Sequence, residues 1–332
     1  MNTEELRLIR DCLPEGRTKY YYFKDAYVFQ ILKWKLGEAQ ATASSLKQHA
    51  QWQRFAKKEA FARYLSKWPD GLVDGERLGY YWPSDQQVHA FRLTLGEWGQ
   101  EPSNQNDSWF QTSRSGWNLV LQLNFPAEHD REYRNLVGPD GGSYFAWTFH
   151  PVRVGQYNTL AWARLDIDLD RGVALIEEIQ TDWLREAASQ RSHLAKELKQ
   201  GRLKLDDRWW QSTVGNVISY FDRNLEPLLD VWDEAMLSAA LWFLYKELGV
   251  SRVYYHTWES GLLYKQLPED SAPPRSLYTK LPKRFGFEKV EMGPSFLDES
   301  QKSRRFWKRR KDKRTTAAWW RLDLESAVQF AK

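Results

Sequence analysis

Between residues 117 and 249 the spacing of apolar side chains switches from two to nearly four, and that change of period restricts the chain to a mixed α/β architecture. Trp117, Leu119, Leu121, Leu123 and Phe125 fall on one side of an extended chain, with Asn118, Gln122 and Asn124 on the other. A short helix over 126–136 and the turn Gly138-Pro139-Asp140-Gly141-Gly142 follow. Three further strands are expected over 143–149, 159–168 and 173–182, the last two joined by a tight hairpin at Arg171-Gly172. Beyond Trp183 the period becomes helical, with Leu184, Ala187, Ala188, Leu194, Ala195 and Leu198 in one stripe. The segment 232–248 is apolar almost all round, as a buried helix is. Gly249 closes it, and 252–257 reads as a buried strand. A Pro-rich loop over 267–275, a short helix over 276–281 and strands over 286–292 and 317–324 complete the pattern.

The first part of the chain reads as helical. Phe23, Tyr27, Ile31 and Trp34 recur at helical spacing up to Gly37, and a second helix is expected over 44–68, ended by Pro69-Asp70-Gly71. Phe91, Leu93 and Leu95 then alternate with Arg92 and Thr94, and the polar stretch 100–115 reads as a loop. The expected organisation is a helical N-terminal region over 1–85 and an α/β domain over 86–332. The second carries a helical insertion at about 184–230. No internal repeat is visible.

Composition narrows the class. With 42% hydrophobic and 28% charged residues in 332, the chain has the make-up of a globular protein. Its 18 Trp, 16 Tyr and 16 Phe imply large buried rings or stacking surfaces. The single cysteine, Cys12, excludes an intramolecular disulfide and a cysteine-built zinc site, and fits a reducing compartment. Residues 1–13 carry Glu4, Glu5 and Asp11 and lack the apolar core of a signal peptide. No run approaches the roughly 18 apolar residues of a membrane span. The expectation is a cytoplasmic protein with no membrane partner.

The order of elements from Trp117 onward resembles the GNAT acyltransferase fold, a mixed and mostly antiparallel central sheet flanked by helices. Tyr245-Lys-Glu-Leu-Gly-Val-Ser-Arg-Val-Tyr-Tyr255 is similar to the helix and strand that follow the cofactor loop in that family. Leu277-Tyr278 followed by Phe285-Gly286-Phe287 is similar to its closing pair of motifs. A second resemblance lies in Ile176-Glu-Glu-Ile-Gln-Thr-Asp-Trp183, which looks like the EIQSDW signature of a domain in large polyvalent proteins of phages and conjugative elements. Glu132-Tyr-Arg-Asn-Leu136, His150-Pro151, Asn158-Thr-Leu-Ala-Trp-Ala-Arg164, Trp232-Asp-Glu234 and Leu277-Tyr-Thr-Lys-Leu-Pro282 fall in the order that domain suggests. Thr181 stands where its Ser is usual, and the His-Gln pair that often follows the Trp is absent.

Glu178, Gln180 and Asp182 share one face of an extended strand, where polar groups must be hydrogen-bonded or functional because an unpaired buried carboxylate is costly. One reading is a cleft whose favoured general base is Glu178; the other is a polar network that pins the following insertion. The acyltransferase resemblance implies that Glu178 deprotonates an amine and Tyr278 protonates the coenzyme A thiolate, with acetyl-CoA as cofactor. No glycine-containing pyrophosphate loop precedes Trp232, however, and Tyr278 lies farther from Gly286 than in that family. Trp183, Glu234 and His256 are further candidates. His150 reads as structural, and the six His show no metal-ligand spacing. Asp166, Asp168 and Asp170 mimic a calcium loop, but Arg171 stands where such a loop needs Gly, so they read as a strand entering a hairpin.

The basic charge is concentrated in one run. Lys302, Arg304, Arg305, Lys308, Arg309, Arg310, Lys311, Lys313 and Arg314 surround Phe306, Trp307 and one acid, Asp312, giving +8 within a chain of net +4 and leaving the rest at −4. Basic residues around aromatics suit phosphate contacts with base stacking, in a loop joining the last two strands. The functional expectations are an acyltransferase or its degenerate derivative, of phage or mobile-element type. The alternative is a non-enzymatic accessory protein binding nucleic acid or an acidic partner through this run. A solvated hairpin tip without a partner is the bland reading of the same residues.

Overall fold

The computed structural model describes residues 1–101, 110–138, 143–202, 211–267, 273–300 and 317–325. The basic run 302–314 lies outside the described residues. In chain order the elements are α1 (Thr3–Arg10), β1 (Lys19–Tyr22), α2 (Ala26–Leu36), β2 (Gln40–Thr42), α3 (Ala43–Gln48), α4 (Gln53–Ala56), α5 (Glu59–Ser66), β3 (Leu72–Asp74) and α6 (Gly75–Tyr80). Then come β4 (His89–Gly99), β5 (Trp117–Asn124), α7 (Ala127–Leu136), β6 (Thr159–Asp168), β7 (Val173–Gln180), α8 (Asp182–Lys199) and α9 (Gln211–Tyr220). The chain ends with α10 (Trp232–Trp242), β8 (Arg252–His256), α11 (Trp258–Lys265), α12 (Arg275–Phe285), β9 (Glu288–Val290), α13 (Ser295–Glu299) and β10 (Trp319–Asp323).

Eight strands form one sheet in the order β1-β4-β5-β6-β7-β8-β10-β9, and β2 and β3 form a separate ribbon. Every pairing in the large sheet is antiparallel except that of β7 with β8. The architecture is thus mixed α/β, a large and mostly antiparallel sheet flanked by helices. Alternation in β5 sets the two faces. Leu119, Leu121 and Leu123 sit opposite Leu165, Ala163 and Ala161 of β6 and belong to the main core, with Ala235, Leu237 and Leu241 of α10. The opposite face carries a row in register across four strands: Thr94, Gln122, Trp162 and Gln180. Two residues further along the same two strands, Arg164 lies opposite Glu178.

Several sequence expectations are redrawn by packing. Residues 143–149 form turns, not a strand, because β6 takes the place beside β5 and is itself paired with β7, which leaves no free ladder there. The helix expected over 44–68 is three short helices, α3 to α5, since His49 adopts an extended backbone (ψ 123°) after the Thr42 capping box has started α3. Residues 1–85 contribute β1 to the edge of the sheet, where Lys19 to Tyr22 pair with Arg92 to His89. The last strand of the β6–β7 hairpin stops at Gln180, and Asp182 begins α8, capped by the Thr181 side chain. A serine hydroxyl serves that position equally well.

Trp183 fixes α8 to the rest of the molecule. It is 1% exposed, packs against Tyr133 at 4.8 Å, Phe125 at 5.5 Å and Phe145 at 5.6 Å, and donates its indole N–H to Tyr220 Oη at 3.1 Å. Trp183→Ala is expected to lower the unfolding free energy by about 3–5 kcal/mol in urea denaturation. Trp147→Ala, at a ring that is 46% exposed, is expected to change it by about 0.5 kcal/mol or less.

Candidate functional site

The residues of the 176–183 signature do not converge on one point. A β-bulge divides them. Arg164 pairs with Glu178 and Leu165 with Ile176, so Glu177 is an extra residue in β7. The parallel ladder of β7 with β8 runs from Val173–Arg252 to Ile176–Tyr255 and stops there. Glu177 and Glu178 lie just beyond its last pair.

Glu177 is fully buried. Its carboxylate accepts from the Ser113 backbone N–H at 2.9 Å and the Ser113 hydroxyl at 2.8 Å, and His256 Nε2 lies 3.2 Å away. Burial pushes its pKa up, but the hydrogen bond to His256 and the nearby Lys265 and Arg164 charges outweigh that and hold it well below the usual carboxylate range. An ionised carboxylate only accepts, so His256 Nε2 carries the proton and Nδ1 accepts from Ser260 Oγ at 2.9 Å. The nitrogen 2.8 Å from Ser113 Oγ is therefore a donor and cannot serve as the base for that hydroxyl. Ser113, His256 and Glu177 make a lock that holds the 110–115 segment to the sheet.

Glu178 faces Arg164, which pairs with it directly and also donates to the Phe110 carbonyl at 2.7 Å. Lys265, at the end of α11, completes the group: its ammonium donates to the Glu177 carbonyl at 2.6 Å and lies 3.5 Å from Glu178 Oε2. Burial opposes ionisation of Glu178, but the Lys265 and Arg164 charges prevail and lower its pKa. That is the reverse of what a general base near neutral pH requires. Tyr278 is 1% exposed with an unpartnered hydroxyl, as is that of Tyr255 5.6 Å away by ring centroids. Burial raises both phenols well above their ordinary range. Glu234 belongs elsewhere, between the Asp25 N–H at 2.9 Å and Arg284 at 3.0 Å, where burial raises its pKa.

Gln180 and Asp182 point to a different neighbourhood. Asp182 is 2% exposed, and its carboxylate is met by four donors. Oδ1 accepts from Gln180 at 2.7 Å and Arg185 at 2.9 Å; Oδ2 accepts from His150 Nδ1 at 2.9 Å and Trp162 Nε1 at 3.0 Å. Burial works against ionisation, but the His150 and Trp162 hydrogen bonds overcome it and lower the pKa. Gln122 ties the same loop down by donating to the Pro151 carbonyl at 2.7 Å. Sequence reading named Glu178, Gln180, Asp182, Tyr278, Glu234, His256 and Trp183. It assigned no role to Ser113, Arg164, Trp162 or Lys265, and it set His150 aside as structural. A basic residue in the middle of an expected strand, Arg164, was the available signal.

Among the described residues no group of three or more His, Cys, Asp or Glu could hold a metal ion, and no helix is long and apolar enough to cross a membrane. Asp166 is instead paired with Arg114 at 2.7 Å, and Asp168 accepts from the Arg171 N–H at 3.1 Å in the hairpin turn. No family model, no curated protein and no solved structure matches the chain.

The lock makes stability pH-dependent with a definite sign. Glu177 ionises more readily folded than unfolded, so its contribution is complete above the unfolded carboxylate range and drains away as pH falls. Glu177→Gln is expected to flatten the fall of unfolding free energy between about pH 5 and pH 3 by up to about 1.4 kcal/mol per pH unit, one proton's worth. Urea titrations across that interval measure it; an unchanged slope would show that the carboxylate is not ionised in the fold.

Proposed function

We propose that this chain is a GNAT-like-fold protein of phage or mobile-element type whose acyl-CoA cleft is closed, a degenerate derivative of the acyltransferase scaffold. The mostly antiparallel sheet with one parallel joint, and the resemblance of residues 132–287 to the polyvalent-protein domain, support that reading. The observation that carries it is the Lys265 ammonium just beyond the end of the β7–β8 ladder, bonded to the Glu177 carbonyl and facing the Glu178 carboxylate. Glu178 is neutralised by two cations, and the Tyr278 hydroxyl is enclosed in the core. Glu178 lacks the proton affinity of a general base, and the enclosed Tyr278 hydroxyl lacks the access that acyl transfer needs.

The concentration of +8 between Lys302 and Arg314, against −4 over the rest of the chain, supports a second role in binding nucleic acid or an acidic protein. Both readings make this an accessory or binding protein.

The test is a thermal-shift and calorimetric titration of the whole chain with acetyl-CoA and with coenzyme A. A ligand at 100 times its Kd stabilises a fold by about 2.7 kcal/mol, so a bound cofactor would be conspicuous. We expect no shift at millimolar ligand. A saturable shift that Lys265→Glu abolishes would overturn the closed-cleft reading.

A further inference from the structure

We infer that His150, Trp147 and Phe149 form a binding site for a nucleobase, with the base stacked on the exposed rings and its N–H edge hydrogen-bonded to His150 Nε2. The site is distinct from the Glu177–Lys265 group and does not depend on whether a cofactor binds there.

The tautomer of His150 follows from its partner. Asp182 is buried, its two oxygens meet four donors, and its pKa is lowered, so it accepts a hydrogen bond and cannot donate one. His150 Nδ1, 2.9 Å away, must carry the proton. In the neutral ring the lone pair is then on Nε2. Nδ1 also has Gln180 Nε2 at 3.3 Å, a longer contact than that with Asp182; Nε2 has no hydrogen-bond partner among the described residues, and the side chain is 28% exposed. The chain holds a ring by one edge, through a carboxylate braced by Gln180, Trp162 and Arg185, and leaves the accepting edge outward.

Beside this acceptor lies an aromatic shelf. Trp147 is 46% and Phe149 74% exposed, their centroids are 6.2 Å apart, and Trp147 lies 6.3 Å from the His150 ring. Trp162 closes the inner side against His150 at 5.4 Å, edge to face. Large rings exposed together and next to an oriented polar atom mark a binding surface. A structural staple would account for the Asp182–His150 contact, but it leaves unexplained the outward rings on the same short loop.

Charge decides the ligand class. Among the described residues, Arg185 is held by Asp182 at 2.9 Å and lies 3.3 Å from Glu186, and Arg153 of the same loop donates to Glu15 at 2.7 Å, so both of these cations are already paired. An aliphatic side chain would leave the Nε2 lone pair unused. A flat, uncharged ring with N–H donors on its edge satisfies both features, and a nucleobase is that ligand. It could arrive as a free nucleoside or as part of a single strand.

Saturation-transfer NMR on the whole chain separates these sources, using adenosine, cytidine, their dimethylated exocyclic-amine analogues and a single-stranded oligodeoxynucleotide. We expect transfer to the base protons of both nucleosides at millimolar concentration. Trp147→Ala and Phe149→Ala should each weaken binding about tenfold or more, with the thermal midpoint unchanged. The dimethylated analogues, which lack the exocyclic N–H, should bind markedly less well. Binding by the strand but not by either nucleoside, unaffected by Trp147→Ala, would assign the interaction to other parts of the chain and overturn the inference. So would analogues that bind as well as the parent nucleosides, or the absence of transfer from any of the ligands.

Discussion

One extra residue in β7 governs the centre of this protein. The bulge at Glu177 leaves that residue without a ladder partner on β6, and two consecutive glutamates lie just beyond the last pair of the β7–β8 ladder. A fully buried carboxylate beside a second that is largely buried is unfavourable unless each is paired and hydrogen-bonded. The surrounding elements are arranged to meet that demand. Arg164 comes from β6, Lys265 from the end of α11, His256 from β8, and Ser113 from the segment leading into β5. These come from four separate stretches of sequence. They are drawn to one place because each carries a charge or donor that the glutamates require. Removing a single partner would leave a buried charge behind, so the group acts as a unit and not as a sum of pairs.

The periodic parts of this arrangement were legible in the sequence, and the parts that depend on three-dimensional neighbours were not. β5, β6 and α10 lie within the segments 117–125, 159–168 and 232–248 expected for them. The sheet face bearing Leu119, Leu121 and Leu123 is the apolar one. The segment 143–149 shows the limit. Tyr144, Phe145, Trp147 and Phe149 suit a strand by propensity, yet strand pairing needs a free edge, and β6 had taken the one beside β5. β1 escaped notice for a related reason. A four-residue edge strand with three tyrosines in sequence has no alternation to read.

Site chemistry was legible in residue type but not in grouping. Strand parity assigned Glu178, Gln180 and Asp182 to one face. Glu178 and Gln180 do share it, opposite Arg164 and Trp162, because the bulge lies before both, while Asp182 leaves the strand as the first residue of α8. Glu178 pairs with Arg164, and Gln180 and Asp182 meet His150. Trp183, the last residue of the signature, anchors α8 in an aromatic cluster and takes no part in either group. A compact sequence signature therefore encodes three separate structural tasks.

The two polar groups differ in a way that bears on what each can do. Around Glu177 every donor and acceptor of the carboxylate and of the His256 ring has a partner inside the protein, and the residues are at most 1% exposed. A network satisfied in that manner rigidifies the fold and offers nothing to a ligand, since breaking any bond exposes a desolvated charge. Around Asp182 the carboxylate is equally satisfied, but one of its donors is a ring with a second nitrogen that turns outward. Desolvation is confined to the carboxylate, which stays ionised without further help, and the histidine transmits that fixed state to the surface as a defined hydrogen-bond acceptor. The same device, a buried anion with its partners supplied by neighbouring elements, thus closes the sheet at one end of the signature and presents a directed polar atom at the other.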